Sequence, residues 1–90
     1  MNSMFSVSEL LSSIKGLSSK LRVLNVLEGF LPNILEKSGV RNIEEVFEFI
    51  VESSYEMLPM PIRMAIKKDV YVSVVKTNKE KVIELVSALI

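Results

Sequence analysis

Residues 20–39, KLRVLNVLEGFLPNILEKSG, constrain the fold more than any other stretch of the chain. Leu21, Val23, Leu24, Val26, Leu27, Phe30, Leu31, Ile34 and Leu35 occupy nearly the whole circumference of a helix. A helix that is apolar all round is a buried one. This second helix is therefore expected at the centre of a bundle, with Leu24, Leu27 and Leu31 inside. Pro32 removes one backbone donor and crowds the preceding turn, and Gly29 loosens the chain just upstream. A kink, or a split into two shorter helices, is expected between 29 and 32. Gly39, with Lys37 in the last turn, makes a suitable stop.

The other segments read as helices that close over this one. Ser6 and Glu9 form a capping box ahead of Val7, Leu10, Leu11, Ile14 and Leu17. Gly16, Ser18 and Ser19 predict a break near 17–19. Asn42 is a candidate N-cap with Glu45 at the third helical position. Ile43, Val46, Phe47, Ile50, Val51, Met57 and Leu58 follow on one face. Pro59 and Pro61 interrupt the chain, and Pro61 suits the first position of a new helix. VYVSVV, residues 70–75, is β-branched enough for a strand. No second strand exists to satisfy its backbone, so helix is expected from 61 to about 76. Thr77 and Glu80 in TNKE read as a capping box for a last helix through Val82, Ile83, Leu85, Val86, Leu89 and Ile90. The expected fold is all-α: one domain over 1–90, a small bundle of four to five helices around a central, Pro-kinked helix two.

The charge is segregated. The chain is neutral overall, but residues 42–58 hold five glutamates and no base. Residues 1–41 carry five bases against three acids, and residues 59–90 six against three. Glu44, Glu48, Glu52 and Glu56 fall four apart, opposite the apolar face, and Phe49 lies on their side as the clearest exposed apolar candidate. Three roles fit such a stripe. It is a solvated face, partly neutralised by bases of a neighbouring helix. Or it docks against the basic residues Arg63, Lys67 and Lys68, within or between copies. Or it binds a divalent cation, although the Asp/Asn run and central Gly of an EF-hand loop are missing. Apolar residues make up 49% of the chain. A short chain leaves a large share of its surface exposed. A second copy, most simply in a dimer, or another protein partner is expected to cover part of it. The candidate interaction residues are Phe49, Glu48, Glu52, Glu56, Arg63, Lys67 and Lys68.

Much chemistry is disfavoured. Cysteine and histidine are both missing, which removes disulfides, thiolate metal sites and the commonest general base. Gly16, Gly29 and Gly39 are too far apart for a phosphate loop. Ser19–Lys20 is a formal nucleophile pair with nothing else to support it. No catalytic residue, cofactor or metal is expected. The runner-up to a non-catalytic interaction protein is a nucleic-acid-binding module using the basic segment 63–81, namely Arg63, Lys67, Lys68, Lys76, Lys79 and Lys81; zero net charge weighs against it. The start, MNSMFSVSELL, has no basic region or long apolar run, and no stretch approaches the roughly twenty apolar residues of a membrane span. A cytoplasmic location is the expectation. Absent glutamine and cysteine, with ten glutamates and eight lysines, give a thermophile-like composition, though AT-rich coding enriches lysine as well.

Overall fold

The structure, a computed structural model, describes residues 7–39 and 42–90. They form an all-α bundle: α1 (Val7–Ile14), α2 (Ser19–Ser38), α3 (Ile43–Ser53), a 3-10 turn (Ser54–Met57), α4 (Met60–Ala65), α5 (Lys68–Thr77) and α6 (Lys79–Leu89). No strand occurs among the described residues. Residues 61–76 do not make one helix. The chain is extended at Ile66 and Lys67, which separates α4 from α5 and raises the helix number above the expected four to five.

Helix α2 is the centre and packs against α1, α3, α5 and α6. It buries Val23, Val26, Leu27, Phe30, Leu31 and Ile34. Leu24 is only half-buried, against expectation, because it flanks the buried arc, and Leu21, further round, is exposed. The helix is not split at Pro32 but runs unbroken from Ser19 to Ser38. Pro32 and Glu28, whose carbonyl loses its donor there, are both exposed, so water is at hand. At its end, Gly39 takes φ 64°, the left-handed conformation that a Cβ penalises.

The joints are set by side chains. Arg22 ties α1 to α2: its Nε donates to the Leu17 carbonyl at 2.9 Å and its Nη2 to that of Lys15 at 3.0 Å. The expected break at 17–19 is thus stitched as well as loosened. Ser6 lies outside the described residues. Asn42 caps α3 as expected, its Oδ1 accepting from the amides of Glu44 (2.9 Å) and Glu45 (3.2 Å). The α-helix then yields to the 3-10 turn at Ser54, so Met57 and Leu58 are not on α3, contrary to the sequence reading. Ser54 Oγ donates back to the Ile50 carbonyl at 2.6 Å, a local bond that competes with the helical ladder. The Thr77 capping box does not form. Helix α5 runs through Thr77, and Asn78 alone makes the joint to α6, its Nδ2 bonded to the Val74 carbonyl at 2.9 Å.

Candidate interaction surface

The acidic segment is neutralised at both ends by bases of the basic segment. At the start of α3, Glu44 meets Lys79 at 3.2 Å, and the Lys79 ammonium also sits 5.1 Å from the Phe47 ring centre. In the 3-10 turn, Glu56 meets Lys68 at 2.8 Å. The hydrogen bond from Lys68 holds the Glu56 carboxyl below the usual carboxylate range. Between these ends Glu45, Glu48 and Glu52 are exposed, with no base at ion-pair distance among the described residues. Because α3 stops at Ser53, Glu56 does not continue the stripe; Glu48 and Glu52 do. Among the described residues no group of three or more acidic side chains converges on a point that could hold a metal ion.

The basic candidates part company. Arg63 is half-buried and turned inward, its Nε donating to the Leu58 carbonyl at 3.0 Å. Tyr55 completes this lock: its hydroxyl lies 2.9 Å from the Arg63 carbonyl and 2.6 Å from that of Ile66, serving the otherwise open end of α4. Lys67 and Lys76 are exposed, while Lys68, Lys79 and Lys81 each face a carboxylate. Lys68 and Lys79 stand near opposite ends of α5, roughly 15 Å apart at 1.5 Å per residue. The segment therefore does not present its charges as one stripe.

Phe49, the expected exposed aromatic, is half-buried and packed against the core. Among the described residues, the exposed large apolar side chains are instead Leu21, Met60, Met64, Leu89 and Ile90. Met60 and Met64 lie one turn apart on α4, 57% and 78% exposed, on the side opposite the buried Ile62. The sequence held a signal for them: once Pro59 and Pro61 start a short helix with Ile62 inward, positions 60 and 64 must face out. Beside this face lies an open groove of about 290 Å³ between α1, α2 and α4, lined by Leu11, Ser12, Ile14, Lys15, Arg22 and Ala65. It adjoins a smaller hollow that shares Arg22 and Ala65 and adds Lys67 and Val70.

Compared with protein-family models, with curated proteins and with solved structures, the chain matches none of them at a significant level. No helix among the described residues is long and apolar enough to cross a membrane.

Proposed function

We propose that this is a small non-catalytic protein that acts by self-association or by docking to a protein partner, and that the outer face of α4 makes the contact. The observation that carries the reading is the pair Met60 and Met64, exposed one turn apart while Ile62 between them is fully buried. Methionine is flexible and polarisable and suits surfaces that adapt to a partner. A second copy, most simply in a dimer, is the nearest candidate, since a helix face can meet its own copy across a two-fold axis.

The test is sedimentation of the parent and of Met60→Ser/Met64→Ser over a wide concentration range, joined to affinity purification from the native source. The expected result is a mass above the monomer, or a specific co-purifying protein, that the double variant loses. A parent that stays monomeric, and retrieves nothing the variant fails to retrieve, overturns the reading. The nucleic-acid alternative predicts a salt-sensitive mobility shift with generic duplex. Pairing of Lys68, Lys79 and Lys81 with carboxylates leaves it fewer free charges.

A further inference from the structure

We infer that the groove between α1, α2 and α4 is a second, separate docking site, and that its occupant is an acidic amphipathic segment of another protein. The floor is apolar, from Leu11, Ile14 and Ala65, and the charged residues along the groove and its adjoining hollow are Lys15, Arg22 and Lys67. None of the described residues that line either is acidic. An apolar floor with a basic rim complements a segment that is apolar on one side and anionic on its flanks. Arg22 is already positioned, because two of its nitrogens are bonded to the Leu17 and Lys15 carbonyls, so the charge stands in place before a partner arrives.

Two other occupants fit less well. A second copy placed groove to groove by a two-fold axis would set Lys15, Arg22 and Lys67 against themselves. The acidic stripe of this chain, Glu45, Glu48 and Glu52, has no exposed large apolar side chain on α3 to fill the floor. The site is also distinct from the Met60 and Met64 face, neither of which lines it.

The experiment uses a fluorescent synthetic helix of leucine, alanine and glutamate, about four turns long, and its counterpart with lysine in place of every glutamate. Anisotropy should show the glutamate peptide binding the full-length protein, weakening as salt rises, with no binding by the lysine peptide. Lys15→Glu/Lys67→Glu reverses two rim charges at exposed positions, and Ala65→Glu fills the floor with a carboxylate. Each should weaken binding on the order of tenfold or more, with circular dichroism unchanged. Met60→Ser/Met64→Ser should bind the peptide like the parent, which separates this site from the α4 face. Failure of the glutamate peptide to bind, equal binding of both peptides, or equal affinity of parent and variants overturns the inference. So does self-association that Ala65→Glu abolishes, because the groove would then belong to a second copy.

Discussion

At the scale of single residues, one buried polar pair holds the turn after α3. Ser54 is fully buried, and its Oγ lies 2.6 Å from both the Ile50 carbonyl and the Tyr71 hydroxyl. A hydroxyl has one proton; Ser54 gives its own to Ile50, so Tyr71 donates to Ser54. The two deletions are therefore unequal. Tyr71→Phe removes one hydrogen bond and leaves Ser54 still donating, at a cost of about 0.5–1.5 kcal/mol. Ser54→Ala strands the buried Tyr71 donor, at a cost of about 1–3 kcal/mol. Urea unfolding of the two variants tests the order; a larger loss in Tyr71→Phe would contradict it. Burial pushes the Tyr71 hydroxyl up to about 12 from 10.0. A hydrogen bond from Ser54 would pull the other way, but that proton is committed to Ile50. The neutral form is thus favoured in the folded state. The resulting stability is present in full below about pH 10 and is lost as pH climbs toward 12, roughly 2–3 kcal/mol in all. The measurement is the difference between parent and Tyr71→Phe, whose alkaline loss should be smaller by that amount. Gly39 gives a simpler case. A Cβ there meets nothing within 4 Å, but φ is 64°. Gly39→Ala should cost about 1–2 kcal/mol from backbone strain alone, and a neutral result in thermal melts would place the residue outside the left-handed region.

At the scale of elements, α3 explains most of what the acidic stripe does to stability. Glu52 is exposed in the last turn of α3, four residues after Glu48. Glu52→Lys creates one favourable i,i+4 pair, of about 0.2–0.5 kcal/mol, in the better orientation with glutamate first. It also places a cation at the negative end of the helix. Glu56 adds no second such pair, since it sits past the end of α3 and already faces Lys68. Denaturant midpoints should therefore be unchanged or slightly raised. A marked, salt-sensitive loss would give the stripe a role in assembly. The elements that could be read from sequence are those whose evidence is local. The apolar arc of α2, the Asn42 cap, the Gly39 stop, the break near 17–19 and the interruption at Pro59 depend on nearby residues, although α4 opens at Met60, one residue before the expected Pro61. What sequence missed depends on distant partners. Ile66 and Lys67 carry no breaker, and their extended backbone adjoins the Tyr55 hydroxyl, eleven residues upstream of Ile66. Thr77 and Glu80 satisfy a capping pattern, yet α5 simply continues through Thr77. Phe49 lies on the polar side of a helical wheel, yet it is half-buried and packs against the core, which the spacing within α3 alone does not show.

At the scale of the whole molecule, one local face, not average composition, favours a partner. The Cα radius of gyration is 12.4 Å, close to the roughly 12 Å expected of a compact chain of this length. The apolar core, centred on α2, includes residues of every helix from α1 to α6. Among the described residues, most large apolar side chains are thus buried or packed against the core, and the 49% apolar content no longer calls for a second copy. What remains is local: Met60 and Met64, outward because a proline-started helix of six residues has only one inward side. If that face closes in a dimer, folding and association are linked, and the melting temperature must rise with protein concentration. The rise should vanish in Met60→Ser/Met64→Ser, while the melting temperature of that variant at low concentration stays near the parent's, because both side chains already face water in the monomer. A parent melting temperature that is flat over a hundredfold range of concentration would remove the dimer and leave α4 to a different protein. A variant that melts well below the parent at low concentration would show that the two methionines support the fold itself.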